Sequence, residues 1–191
     1  MAQKSQKAVI GEVRFSYLHA FYPWKAEGDP DDKAQYTATL LIPKSNTALV
    51  SQVKAAIKAS YDAAVTEKWG GKKPKDGYWF DPLQDGDDPK QDGEPRGEAY
   101  EGMWFINAKS KQQPGVIGRD RQPIINSEDF YSGCFGYASV AFSGFTYGAK
   151  MGISCFLDNL MKTRDGEPLG GTRSDAASDF AAIGIEEDDG L

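Results

Sequence analysis

The chain has 191 residues, the length of one domain with short appendages. Its apolar runs are only a few residues long, whereas a membrane-spanning helix needs about 20, and the first residues lack the apolar segment of a signal peptide. We therefore expect neither a membrane span nor a signal peptide. The net charge of −6, taken alone, argues against a nucleic-acid partner.

The charge is distributed unevenly along the chain. Residues 175–191 contain six acids and no Lys or Arg, and the segment Asp76–Glu101 contains nine acids against Lys90 and Arg96. The rest of the chain contains 20 basic and 13 acidic side chains. This asymmetry predicts a basic body that carries an acidic loop and an acidic C-terminal tail.

Two strands are predicted near the N-terminus. An alternating pattern predicts the first over Ala8–Phe21, with Val13, Phe15 and Tyr17 on one face. A loop rich in Pro and Gly follows it. The second strand is predicted over Lys33–Ile42 and is ended by the proline that comes next.

One long helix is predicted after the second strand. Ser45 and Asn46 are favourable N-cap residues, and apolar residues recur at spacings of four from Leu49 to Trp69. This stripe predicts an amphipathic helix of about 23 residues. The pair Gly70-Gly71 is expected to end it.

The second half of the chain predicts an insertion and further strands. Residues 72–102 are rich in Asp, Gly and Pro, which is typical of a long mobile loop, and Tyr78-Trp79-Phe80 is expected to attach it to the body. Strands are predicted over Met103–Lys109, within Phe130–Tyr147 and over Lys150–Leu160, with a hairpin turn at Gly148-Ala149. Glycines within strands permit sharp bends, so the fold class is expected to be mainly β, a small barrel with one helix between strands and an extended acidic loop.

We expect a body over residues 1–165 and a disordered acidic tail over residues 166–191. Cys134 and Cys155 lie in apolar stretches and are expected to be buried thiols, while the lone histidine, His19, is expected at a strand end. These residues fit no zinc spacing, and we find no phosphate-binding loop, nucleophile elbow or catalytic pair of acids. The sequence therefore predicts no enzyme, metal or cofactor.

Aromatic rings stand beside cations at several places in the basic body, as in Trp24-Lys25. Single-stranded nucleic acid needs this combination, because rings stack on bases and cations contact the phosphates between them. The competing interpretation is that most rings on strands fill the core. The acidic tail also has two interpretations: a solubilising terminus, or a competitor for a groove built for phosphates, through Glu186, Glu187, Asp188 and Asp189.

Several short motifs occur in a specific order over about residues 8–180. They are Val13–His19 with Phe21 and Pro23-Trp24-Lys25, then Leu40–Lys44, Asn107–Ser110, Tyr131–Cys134 and Arg164–Gly171. This order resembles that of a family of bacteriophage-encoded single-stranded-DNA-binding proteins. The resemblance implies a single OB-fold, which is a five-stranded Greek-key barrel, an acidic tail that modulates binding, and a role in phage DNA replication or recombination in the cytoplasm of the infected bacterium.

OB-fold geometry gives the candidate site. The ligand of an OB-fold crosses the central strands between two loops, expected here at Tyr22–Asp32 and about Ser143–Lys150. The predicted stacking residues are Tyr17, Trp24, Trp104, Phe145 and Tyr147. The predicted phosphate contacts are Arg14, Lys25, Lys109, Lys111 and Lys150, with Asn107 as a polar contact to a base or the backbone. Because Trp104 and Asn107 point to opposite faces of one strand, at least one of the two is expected to be wrong.

The expected partner is single-stranded DNA, bound largely without sequence preference, with replication or recombination proteins at the acidic tail. Weak binding to duplex DNA and a homodimer stay open. Two other classes compete with this interpretation. One is a phage structural or assembly protein that uses the barrel as an interaction module, and the other is a nuclease, which would need carboxylates clustered on ordered strands.

Overall fold

The computed structural model describes residues 6–170, and in this part of the chain strands predominate around one α-helix. The elements in chain order are β1 (Gln6–Trp24), β2 (Gln35–Pro43), α1 (Thr47–Glu67), β3 (Trp79–Phe80), β4 (Gln84–Asp85), β5 (Met103–Ser110), β6 (Gly115–Ile117), β7 (Phe135–Tyr147) and β8 (Lys150–Arg164).

Five of these strands close into a barrel. β1 pairs with β2, β2 with β5, and β7 with both β1 and β8, all antiparallel. A parallel contact between β5 and β8, where Ala108 lies opposite Cys155, completes the ring. The order β1-β2-β5-β8-β7 is that of a five-stranded OB-fold barrel, so the predicted fold class is confirmed.

The alternation predicted for β1 fails at Tyr17. Val13 and Phe15 point into the core, as expected, but Tyr17 is 62 % exposed and has a φ of 44°. The pairing of β1 with β2 shifts register between Ser16 and His19. Such a bulge inserts an extra residue and re-aims the side chains around it. The prediction that Tyr17 shares a face with Val13 and Phe15 is therefore wrong, and the ring lies on the outer surface.

The helix forms as predicted and packs on β7 and β1. Asn46 caps it, because its side-chain oxygen accepts a hydrogen bond from the Leu49 N–H at 3.2 Å. Val53 and Ile57 of the apolar stripe are buried against the barrel, and Ala64 beside the stripe is buried as well. Burying each of the two larger side chains stabilises the fold by about 1.5–3 kcal/mol.

The hairpin turn between β7 and β8 lies at Gly148-Ala149, as predicted. Tyr147 pairs with Lys150, so only Gly148 and Ala149 lie in the turn. The loop expected over about residues 143–150 is wrong in extent, since strand pairing continues through Ser143 and Phe145. The rings of this segment are consequently held on a strand ladder.

The acidic insertion forms strand pairings with the barrel at two places. β3 runs parallel to the start of β8, and β4 pairs with β5. At Gly86, an added Cβ would lie 2.3 Å from the carbonyl oxygen of Tyr100, so the insertion folds back closely on itself. Its predicted mobility stays a prediction.

Residues 166–170, which the sequence assigns to the tail, lie against the body. The N–H of Leu169 donates to the carbonyl of Ser132 at 2.8 Å, and the hydroxyl of Tyr131 donates to the carbonyl of Gly166 at 2.9 Å. The body thus extends to the last described residue, Gly170.

Candidate nucleic-acid interface

A groove crosses the outer face of the barrel. It consists of a first cavity of about 400 Å³ beside the β1–β2 connection and a second cavity of about 590 Å³ beside the β7–β8 hairpin. The two cavities share Asn107 and Lys109, so they form one continuous surface. The groove runs between the β1–β2 connection and the β7–β8 hairpin, which correspond to the two loops that flank the oligonucleotide in an OB-fold.

The middle of the groove is the outward face of β5. Phe105, Asn107 and Lys109 alternate along this strand, so all three side chains lie on the groove side. The hydroxyl of Thr39 donates to Asn107 Oδ1 at 2.7 Å. This hydrogen bond fixes the amide, so that its NH₂ group is the end offered to a ligand. The exposed ammonium of Lys109 adds a positive charge at the same point.

Two rings and an imidazole form the end of the groove beside the β1–β2 connection. Tyr17 and Trp24 are 62 % and 54 % exposed. The imidazole of His19 stacks on the Trp24 indole, with ring centroids 6.0 Å apart and planes inclined by 24°. Burial lowers the pKa of His19, which keeps the imidazole neutral at neutral pH. His19 lies within β1 and not at its end, so the predicted strand-end position is wrong.

The opposite end of the groove is lined by rings from three segments. Phe80 of β3 and Phe145 of β7 lie with ring centroids 5.9 Å apart, while Phe156 of β8 is 44 % exposed beside them. An added Cβ at Gly152 would come within 2.6 Å of Phe80 and 2.7 Å of Phe145. Glycine at this position therefore allows the two rings to approach. Tyr147, which is 80 % exposed, completes this end.

Six of the eleven predicted contact residues lie together in the groove. They are Tyr17, Trp24, Asn107, Lys109, Phe145 and Tyr147. Aromatic faces at both ends with an amide and a cation between them can stack bases and bind the intervening backbone.

Two predicted residues lie elsewhere. Trp104 is on the opposite face of β5 from Asn107, where the ammonium groups of Lys44 and Lys54 lie 5.1 Å and 5.0 Å from its ring centroid. The conflict of phase noted in the sequence thus places Asn107, and not Trp104, in the groove. Arg14 donates to the carbonyls of Gly133 and Glu167, at 3.1 Å and 2.6 Å, and so holds the chain near its last described residues.

Three predicted cations flank the groove without lining it. Lys25 forms an ion pair with Asp31 at 2.5 Å, and Lys111 donates to the carbonyl of Asp32. Lys150 is exposed and faces Tyr147 across the hairpin. Lys25 directly follows Trp24, so two of the three stand beside a groove ring.

The groove also contains residues that the sequence did not indicate. Among them are His19, Phe80, Arg96, Tyr100 and Phe156. Alternation along β8, with Cys155 and Leu157 buried, was a signal that could have placed Phe156 outside. The apolar run Tyr78-Trp79-Phe80 indicated an attachment of the insertion to the body, but it did not show that Phe80 lies in the groove. Arg96 gave no signal, because it belongs to the part of the insertion that was predicted to be mobile.

The four tail residues, Glu186, Glu187, Asp188 and Asp189, lie outside the described residues. The described chain ends beside the groove, where Leu169 and Gly170 line a third cavity. Both cysteines are buried and free, as predicted, and burial raises the pKa of each thiol.

Residues 6–170 contain no helix long and apolar enough to cross a membrane. The same residues contain no cluster of His, Cys, Asp and Glu side chains that could hold a metal ion.

Comparison with known proteins decides the family. A family model described as the ssDNA-binding protein of Enterobacter phage Enc34 matches residues 6–191. The chain belongs to this family. Membership in the Enc34 family confirms the predicted resemblance and the assignment to phage ssDNA-binding proteins, and it favours that class over a phage structural or assembly protein.

Individual relatives agree with this membership. Protein p50 of Acyrthosiphon pisum secondary endosymbiont phage 1 is 32 % identical, and the match covers 97 % of this chain and 98 % of that protein. The ssDNA-binding protein from bacteriophage Enc34, solved in complex with ssDNA, has the same fold, with a TM-score of 0.70 and 24 % identity over 89 % of this chain and 96 % of that chain. The ssDNA-binding protein gp2.5 of bacteriophage T7 gives a TM-score of 0.57 at 14 % identity, with 98 % of each chain covered.

Proposed function

We propose that the protein binds single-stranded DNA along the groove, largely without sequence preference. Bases stack on the rings at the two ends, and Lys109 contacts the backbone where the cavities meet. The observation that carries this proposal is the continuity of the two cavities through Asn107 and Lys109, with exposed rings on both sides. Stacking contributes about 1–3 kcal/mol per base whatever the base, so the arrangement supports affinity without a sequence code.

The proposed role is protection of single-stranded DNA during phage DNA replication or recombination in the infected cell. We propose a binding protein and not an enzyme, since the groove combines rings, one amide and cations in the manner of a stacking surface.

The acidic tail is proposed to compete with DNA for the groove and to recruit replication or recombination proteins when DNA displaces it. Support comes from where the described chain ends. Leu169 and Gly170 line the third cavity, which shares Tyr17 and Arg96 with the first cavity of the groove. The acids of residues 175–191 therefore begin a few residues from the proposed DNA path.

The test of the proposed function is a fluorescence titration of labelled oligo-dT at low salt, repeated over a salt series. We expect binding that weakens steeply as salt rises, because bound phosphates release counterions. Absence of oligo-dT binding by both the full chain and a chain ending at residue 174 would overturn the proposal. A labelled duplex of equal length, run beside it, measures the preference for single strands.

A further inference from the structure

The acidic insertion carries a cation into the groove. Arg96 lies between nine acidic residues in the sequence of this segment, yet its side chain is half-buried and lines both the first and the third cavity. Its guanidinium carbon lies 4.7 Å from the ring centroid of Phe105, which belongs to the groove face of β5. An arginine stacked on a ring is held in one plane.

The charge of Arg96 is not matched by a neighbouring acid. Within residues 6–170, no carboxylate forms an ion pair with it. Its Nε donates instead to the carbonyl of Asp88 at 3.0 Å, and an Nη donates to the carbonyl of Pro89 at 3.5 Å. Backbone carbonyls orient the guanidinium without neutralising it. Since a guanidinium has five N–H donors, part of its fork stays available to an anion in the groove.

A cluster at the end of β2 fixes the segment that holds Arg96. Lys44 Nζ lies 2.5 Å from Asp85 Oδ1 and 2.6 Å from Asp87 Oδ2. The second oxygen of Asp87 accepts from the N–H of Gly102 at 2.9 Å, and the carbonyl of Gly102 accepts from the N–H of Lys44 at 3.0 Å. Both ends of the stretch 85–102 are thus tied to one lysine. We call Lys44, Asp85 and Asp87 together the Lys44 clasp.

We propose that Arg96 contacts a phosphate of the bound single strand and that the Lys44 clasp positions it. On this interpretation the insertion is a wall of the groove, and two of its acids serve to hold an arginine in place. The inference rests on the proposed function, because it assumes that the strand follows the groove. Arg96 is a DNA contact in this account, and Lys44, Asp85 and Asp87 are positioning residues.

The first experiment compares Arg96→Gln with Lys90→Gln in the oligo-dT titration. Both variants remove one positive charge from the insertion, but Lys90 is exposed and lines none of the three cavities. We expect Arg96→Gln to weaken binding about tenfold and to reduce the salt slope by about one, as the loss of one phosphate contact does. Lys90→Gln is expected to stay within about twofold of the unchanged protein. Equal affinities and slopes for the two variants would overturn the inference.

The second experiment distinguishes two effects of the clasp acids on DNA binding: holding Arg96 in place, and adding negative charge to the protein. Asp85→Asn/Asp87→Asn makes the protein less acidic by two charges, which by net charge alone tightens DNA binding. The inference predicts the opposite, a several-fold loss, because Arg96 is no longer held. The control Asp76→Asn/Glu101→Gln removes the same charge from exposed acids outside the clasp and is expected to bind as tightly or slightly tighter. Tighter binding by the clasp variant would overturn the positioning role.

Two further measurements show which proposal a negative result refutes: thermal melting of each variant, and oligo-dT binding by Tyr147→Ala. Thermal melting of each variant identifies a loss that comes from unfolding, and the Arg96→Gln comparison does not depend on the clasp. If the unchanged protein fails to bind oligo-dT, both proposals fail. If Tyr147→Ala weakens binding while Arg96→Gln does not, the groove stands and only the role of Arg96 is refuted.

Discussion

The imidazole of His19 lies nearly parallel to the indole of Trp24, with 6.0 Å between ring centroids, at the groove end beside the β1–β2 connection. Two residues that are separated in the sequence thus form one flat aromatic surface. It also places the chain's only histidine, half-buried, on the lining of the first cavity.

Stability is predicted to fall on mild acidification through His19. Burial lowers its folded-state pKa, whereas the unfolded value is about 6.5. The unfolded chain therefore takes up the proton first, and the stability contributed by the neutral imidazole is lost as pH falls from about 6.5 towards the lowered folded-state pKa. Thermal melting between pH 8 and pH 5 checks this, with His19→Gln as the comparison. A pH dependence that is identical in both proteins would contradict it.

Lys109→Gln is predicted to weaken oligo-dT binding and to reduce the salt slope by about one, because Lys109 stands at the junction of the two cavities. Lys73→Gln is the matched control, since this exposed lysine lines neither cavity of the groove. The measurement is affinity over a salt series. The prediction is wrong if both variants shift the slope alike.

Gly152→Ala is predicted to damage the second cavity. The added methyl would meet Phe80 at 2.6 Å and Phe145 at 2.7 Å, so the rings must separate. We expect a loss of about 1–3 kcal/mol in the free energy of unfolding, as for an overpacked site, together with weaker binding. Denaturant unfolding measures the first effect and oligo-dT titration the second. Unchanged stability would show that the rings yield without cost.

Removing residues 175–191 is predicted to tighten binding and to raise its salt sensitivity, since the deletion takes away the six acids that are proposed to compete with DNA for the groove. A full-length variant with Glu186→Gln, Glu187→Gln, Asp188→Asn and Asp189→Asn separates charge from chain length. Weaker binding after the deletion would contradict competition by the tail.

The sequence predicted the elements whose signals are local. The apolar stripe from Leu49 to Trp69 reflects burial on one face of the helix, and the apolar run that proline ends predicts β2, which is buried on both faces from Ala38 to Ile42; both elements form as expected. The sequence placed Tyr17 on the wrong face, because a bulge interrupts the alternation of β1 there. No residue type in that stretch indicates a bulge.

The parts of the groove that come from the insertion could not be predicted. Phe80 reaches the second cavity through parallel pairing with β8, and Arg96 reaches the first through contacts around Lys44 and Phe105. Both depend on pairings across long stretches of chain. The run Tyr78-Trp79-Phe80 indicated that the segment attaches to the body but not where, and composition described the rest only as polar and acidic. The charge count likewise identified the acids of the insertion, but it could not show that Asp85 and Asp87 form ion pairs with Lys44.

The central claim, that single-stranded DNA lies along the groove, is tested most directly by comparing Tyr147→Ala with Tyr22→Ala. The two tyrosines are 80 % and 74 % exposed, but only Tyr147 lines the groove. In a low-salt oligo-dT titration, we predict that Tyr147→Ala weakens binding by about 1–3 kcal/mol, the contribution of one stacked base, while Tyr22→Ala binds like the unchanged protein. Equal affinities for the two variants, or a loss confined to Tyr22→Ala, would contradict the account.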